Sequence, residues 1–318
     1  MPRNLKLTLS YDGYGYHGWQ IQPGVPTVQG LLAEVIESLT GERLLPQASG
    51  RTDAGVHALA QVASFRTGSP IPLQNLKIVL NDRLPPSIRV LSVEEAAPDF
   101  HARHSARAKT YEYRIYRGEV CPPFLFRYAW HYPYPLDEAA MAAAAALVVG
   151  EHDFTSFAAA DPDRSERAAL EESTRANATT PFGGVCSEER ETPVLRHCGR
   201  GPQQALRLRL LGSNVRTIFE SQLDRRPAEP WPAAETSPSK TEAAQAKTET
   251  AQARELVYRV RGNGFLHHMV RNLVGTFLLV GKGTLTPADI PRILAARDRS
   301  AAGPTAPACG LWLVGVEY

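Results

Sequence analysis

The run NGFLHHMVRNLVGTFLLVGKG, residues 263–283, sets one arginine in the middle of an otherwise apolar stretch. From about Gly264 the spacing predicts a helix in which Phe265, Leu266, Met269, Val270, Leu273, Val274, Phe277, Leu278 and Val280 leave almost no polar side. A helix apolar all round belongs in the interior. Arg271 lies at its centre, with His267 and His268 one turn before and Gly275 one turn after, so the four share a face. A buried guanidinium is costly unless a carboxylate pairs with it. The fold must therefore bring an acid to position 271. Asp53 is the natural candidate, because its neighbours are small enough for another element to approach. A purely structural ion pair meets the same demand, and the helix alone does not choose between the two.

Asp53 belongs to GRTDAGVHALAQVASF, residues 50–65, where Arg51, Thr52, Asp53 and Ala54 sit between two glycines and an alternating apolar run follows. On its own this reads as a solvated turn feeding a strand, since Asp and Gly tolerate unusual backbone angles. Before it, LKLTLS alternates Leu5, Leu7 and Leu9 as a half-buried strand does. TVQGLLAEVIESLTG predicts a helix capped by Thr27, striped by Val28, Leu31, Leu32, Val35, Ile36 and Leu39, and ended by Gly41. A helix near 72–80 and a strand at 88–93 follow. Further on, KTYEYRIY turns Tyr111, Tyr113 and Ile115 one way, and an Ala-rich helix runs from Asp137 to Val149. Strands are predicted at 216–222 and 255–261 as an antiparallel pair, and TPADIPRILAAR predicts a helix capped by Thr286 with Pro287 in its first turn. The chain closes on the strand LWLVGVEY. This mixed order predicts an α+β fold rather than a doubly wound parallel sheet.

A length of 318 residues permits two units, and the pattern divides near 105 into 1–104 and 105–318. The net charge of +2 neither demands nor excludes a nucleic acid, because local placement of charge decides. Cys121, Cys186, Cys198 and Cys309 form no CxxC pair, and His197 beside Cys198 lacks the partners of a zinc site, so no metal is expected. The start MPRNLKLTLS has no signal-length apolar core, and LVGTFLLV at 273–280 is too short to span a bilayer. A soluble, cytoplasmic protein with free thiols and no membrane partner is the expectation. Two segments read as insertions. Residues 176–213 show little periodicity apart from a strand-like RLRLL at 207–211, and 226–253 are rich in Pro, Ala, Thr and Glu. The second has almost nothing apolar to bury and is expected to be disordered or loosely helical.

GYGYHG, residues 13–18, matches the G-x-G-x-x-G pattern of dinucleotide folds, but Pro23 and Pro26 forbid the helix which that fold opens there. The same loop offers Tyr14, Tyr16, His17, Trp19 and Gln20, groups that can stack on or bond to bases and can equally pack as a loop core. In FHARHSARAKTYEYRIYR, residues 100–117, Arg103, Arg107, Lys109, Arg114 and Arg117 interleave with tyrosines beside a single acid, Glu112. Cations for phosphates beside stackable rings are the mark of RNA contact. A strand edge that uses positive charge against aggregation is the alternative.

GRTDAGVHALAQVASF, FHARHSARAKTYEYRIY, DFTSF at 153–157, NGFLHHMVRNLVGTFLLVGKG and APACGLWLVGVEY resemble, in order, the motifs of the tRNA pseudouridine synthase A family. The resemblance covers both halves and lapses after Ser173 and after Asp224, where that family uses fewer residues. It implies isomerisation of uridine to pseudouridine at positions 38, 39 and 40 of the tRNA anticodon arm, without cofactor or metal. It also implies a homodimer with an α+β fold, in which two related sheet-and-helix halves share an extended antiparallel sheet around a central cleft. Asp53 matches the catalytic acid and Arg271 the arginine paired with it. Tyr111 matches the ring stacked on the target uracil, and the resemblance also implies that its phenol helps remove the C5 proton, although phenol ordinarily titrates near pKa ~10. Arg51 matches the group that holds the nucleotide flipped out. His17, Trp19, Gln20, Arg103, Arg107 and Lys109 complete the expected RNA contacts. An idle RNA-binding module would not need Asp53, Tyr111 and Arg271 together. A sugar hydrolase would generally need a second carboxylate, and none is placed convincingly near the first.

Overall fold

The computed structural model describes residues 2–160, 213–226 and 254–318. Along the chain run β1 (Arg3–Tyr11), α1 (Val28–Thr40), β2 (Gln47–Ala48), β3 (His57–Thr67), α2 (Leu73–Arg83), β4 (Ile88–Ala96) and β5 (Ala108–Tyr116). Then come β6 (Trp130–His131), α3 (Glu138–Ala146), β7 (Gly150–Asp153), β8 (Val215–Arg226) and β9 (Glu255–Gly262). The last elements are α4 (Met269–Gly281), α5 (Asp289–Ala296) and β10 (Leu311–Glu317). Apart from residues 213 and 226, both expected insertions lie outside the described residues.

The strands form one sheet in the order β4-β1-β3-β10-β5-β9-β8-β7, with β2 added on β3 and β6 on β5. Two pairings are parallel, β10 with β3 and β5 with β6, and the others are antiparallel. This mixed sheet with helices packed on it is the predicted α+β architecture. The closing strand decides what meets at the centre. Leu313 of β10 pairs with Ala58 of β3 on one side and with Tyr111 of β5 on the other. Two strand spacings, about 10 Å, therefore separate the root of the Asp53 turn from the predicted stacking ring.

The local signals explain most elements. Thr27 accepts from Gly30 N to cap α1 and Gly41 ends it, while Asp137 accepts from Ala140 N to cap α3. Leu5, Leu7 and Leu9 are fully buried, as their alternation predicts. Two helix starts differ from expectation. The long apolar helix begins at Met269, not Gly264, because His268 adopts a left-handed backbone (φ 58) that no helix continues through. The last helix begins at Asp289, and Thr286 does not cap it. Instead Thr286 donates from N and Oγ1 to the Asp289 carboxylate at 2.8 and 2.9 Å.

α4 is buried along most of its length, as its composition requires. DFTSF braces it, with Phe154 and Phe157 fully buried, Asn272 Nδ2 donating to Phe157 O at 2.7 Å and Ser156 Oγ donating to Ile293 O at 2.6 Å. On another side the chain at 303–306 crosses α4 at Gly275, where a Cβ would lie 1.7 Å from the Pro304 carbonyl. Ala306 N then donates to Arg271 O at 3.1 Å. No helix among the described residues is long and apolar enough to cross a membrane. Because the crossing leaves no room for a methyl, Gly275→Ala should destabilise the protein by about 1–3 kcal/mol, the usual cost of overpacking. Urea unfolding checks this, and an unchanged midpoint would mean that the crossing yields freely.

Candidate active site

The turn carrying Asp53 is held by its own backbone and by the loop after β1. Val56 N donates to Asp53 O at 3.1 Å, Trp19 N to Thr52 O at 3.0 Å and Gly55 N to Tyr16 O at 3.2 Å. Gly18 permits this approach, since it has φ 84 and a Cβ there would lie 2.5 Å from Thr52 O. The last glycine of GYGYHG thus seats the Asp53 turn rather than a pyrophosphate. Beneath the turn lies a buried polar network. Tyr11 Oη and Thr52 Oγ1 are 2.8 Å apart, Gln61 Nε2 donates to Gly50 O at 2.9 Å, and Ser49 Oγ donates to Gln61 Oε1 at 2.7 Å. Burial pushes the Tyr11 phenol up to about 12, so it stays neutral and can serve as a donor.

Arg271 reaches this turn from the first part of α4. Its Nη1 donates to Asp53 Oδ2 at 3.1 Å and its Nε to Ala306 O at 2.8 Å. The side chains are 14% and 19% exposed, so the pair is largely withdrawn from water yet open on one side. His268 Nε2 stands 3.4 Å from Oδ2 and His267 Nε2 3.6 Å from Oδ1, the two imidazoles lying 3.9 Å apart between centroids. Burial lowers the His268 pKa, against the pull of Asp53 and with help from His267, Arg271 and Arg299. The polar strip predicted on this segment does meet the acid, but the histidines reach it from the turn before the helix. The Asp53, His267 and His268 ligand atoms lie within 4.8 Å of one another, close enough to hold a metal ion. An ion there would face the Arg271 guanidinium on the same carboxylate, so the arrangement favours a carboxylate cradled by cationic and polar donors.

Tyr111 is 7% exposed, and its ring meets Phe265 edge-on at 5.0 Å. Burial, then Tyr11 and the Asp53 charge, pushes its phenol well above the ordinary range. A neutral ring beside the acid suits stacking and argues against a phenolate base. Phe265, absent from the predicted site, backs that ring. The periodicity counted it as part of a helix that does not extend that far. Arg51 is exposed two residues before Asp53, His17 is exposed and Gln20 half-buried. Trp19 corrects its prediction. At 1% exposure it packs in the core near Tyr11 and offers no face to a base, so the loop-core alternative holds.

Arg103 and Arg107 are exposed ahead of β5. Lys109 points inward instead, and its Nζ donates to the Ser49 carbonyl at the base of the Asp53 turn. Burial lowers its pKa to about 8, with repulsion from Arg103 and Arg216 adding to the effect. An unfolded lysine titrates near 10.4, so between about pH 8 and 10 the unfolded chain holds the extra proton and stability rises with pH. Replacing Lys109 by Met should flatten that rise between pH 8 and 9.5 in urea unfolding. Equal slopes for both proteins would contradict the burial of the charge.

The family model described as tRNA pseudouridine synthase matches residues 8–105 and 204–318. "tRNA pseudouridine synthase A" of Solibacter usitatus is 43% identical over 316 residues, covering 99% of this chain and 100% of that protein. The protein of the same name from Moorella thermoacetica is 41% identical over 99% of each chain. That from Caldicellulosiruptor bescii is 37% identical over 99% of this chain and all of its own. With the predicted acid and arginine in contact and the match spanning both halves, the chain belongs to the tRNA pseudouridine synthase family.

Proposed function

We propose that this protein isomerises uridine to pseudouridine at positions 38, 39 and 40 of the tRNA anticodon stem-loop, with Asp53 as the acting carboxylate. The observation that carries the reading is the 3.1 Å contact between Asp53 and Arg271 beside the Tyr111 ring. In the reaction the N1–C1′ bond breaks, the uracil turns in place, C5 bonds to C1′, the C5 proton leaves to water and N1 takes up a proton. Attack on C1′, addition to C6 and removal of the 2′-hydrogen all begin with a carboxylate beside the sugar and the base. Arg271 supplies the countercharge, and its second bond to Ala306 O keeps the guanidinium from following the substrate.

The target nucleotide must leave the stack to reach the acid. Arg51, exposed two residues before Asp53, is proposed to enter the space it vacates, and the Tyr111–Phe265 pair to wall the loosened uracil. Arg103 and Arg107, with His17 and Gln20, serve as outer contacts to the RNA. Lys109 acts from beneath by holding the turn. A cytoplasmic homodimer completes the proposal, one subunit gripping the tRNA body while the other takes the anticodon arm.

Release of tritium from uracil C5 of labelled tRNA tests this reading. Wild-type protein should release the label, and Asp53→Asn should lower the rate about 10²–10⁴-fold, the scale of a lost acid–base or nucleophilic group. Binding without release by the wild type would leave an idle RNA-binding module. Tyr111→Phe should keep both RNA affinity and turnover, whereas Tyr111→Ala should weaken both. Equal turnover in all three would remove Tyr111 from the site.

A further inference from the structure

The two oxygens of Asp53 are served unequally. Oδ2 faces Arg271 Nη1 at 3.1 Å and His268 Nε2 at 3.4 Å, while Oδ1 faces His267 Nε2 at 3.6 Å. A single anchor at Oδ2 would leave the carboxylate free to turn, because the terminal torsion of Asp is broad and roughly two-fold. Whatever holds Oδ1 decides which way that oxygen points.

His267 is itself held by the chain that leaves DFTSF. Its Nδ1 is 3.0 Å from the Ala160 carbonyl, and its own carbonyl accepts the Ala159 N–H at 2.9 Å. Each ring nitrogen thus faces an oxygen acceptor, one on the brace and one on the acid, and the ring donates to both only as the imidazolium. At 3.6 Å the contact to Oδ1 is within ion-pair range but too long for a formed hydrogen bond. Such contacts commonly tighten only when substrate fills the site. His268 cannot substitute, because its left-handed backbone sends its ring to the oxygen that Arg271 already serves.

We infer that His267 is a positioning residue for Asp53, tying Oδ1 to the backbone at 159–160 so that the carboxylate meets the ribose in one orientation. The inference rests on Asp53 being the acting group. Two conservative replacements separate the ends of the ring. The amide nitrogen of Gln lies near the place of Nε2 and keeps a donor for Asp53. That of Asn lies near the place of Nδ1 and keeps only the contact to Ala160.

Steady-state kinetics on tRNA decide the matter. His267→Ala should lower kcat on the order of 10- to 100-fold, the scale of a misplaced reacting group, with KM unchanged. His267→Gln should recover most of that loss, and His267→Asn should remain as slow as the Ala variant. Equal recovery by Asn and Gln, a loss confined to KM, or no loss at all would overturn the positioning role. If the Ala variant fails to fold, the comparison of Gln with Asn carries the decision. Full activity in Asp53→Asn, measured alongside, would instead overturn the assignment of Asp53 and leave nothing for His267 to position.

Discussion

Asp53 and Arg271 stand 218 positions apart in the chain and 3.1 Å apart in space, and much of the described structure is arranged so that they meet. Neither is tolerable alone where it sits. A largely buried guanidinium without a carboxylate is a strong penalty, and so is the converse. The pair therefore ties the turn before β3 to the start of α4, and with them the first and last thirds of the chain. The segment at 303–306 crosses α4 closely enough for Ala306 to bind the same arginine through both its N–H and its carbonyl.

A second layer of polar bonds makes the turn rigid from below. Tyr11, Thr52, Gln61, Ser49 and Lys109 exchange hydrogen bonds with one another or with the backbone of residues 49–50. Buried networks of this kind specify one geometry when fully satisfied. The cost of burying Lys109 appears in its lowered proton affinity. A lysine expected to reach for phosphate holds the Asp53 turn instead, while Arg51, Arg103 and Arg107 remain exposed. The sheet order has a similar consequence. By inserting β10 between β3 and β5, the fold sets the strand that follows the Asp53 turn and the strand that carries Tyr111 on opposite sides of one strand.

Much of this was legible in the residues. The demand of Arg271 for an acid, the choice of Asp53, the α+β order and the cap at Thr27 all follow from patterns that local chemistry enforces. What escaped was set by tertiary context. The apolar spacing continues through Phe265 and Leu266, so periodicity extends the helix to Gly264, while histidine enters the left-handed region too rarely for the turn at His268 to be read from its sequence. That turn aims two imidazoles at the acid. Trp19 was ambiguous for a different reason: an aromatic in a Gly-rich loop can face either way, and only the packing near Tyr11 resolves it. The glycines of GYGYHG imitate a phosphate loop because close backbone approach needs glycine whatever the approaching group is.

The ion pair itself is open to direct measurement through a double-mutant cycle on unfolding free energy, using Asp53→Asn, Arg271→Met and the double variant. If the two charges hold each other in a water-poor cleft, the single losses should fail to add, with a coupling of about 1–3 kcal/mol. If they add to within roughly 0.5 kcal/mol, the residues do not interact in solution and the account of the site is wrong.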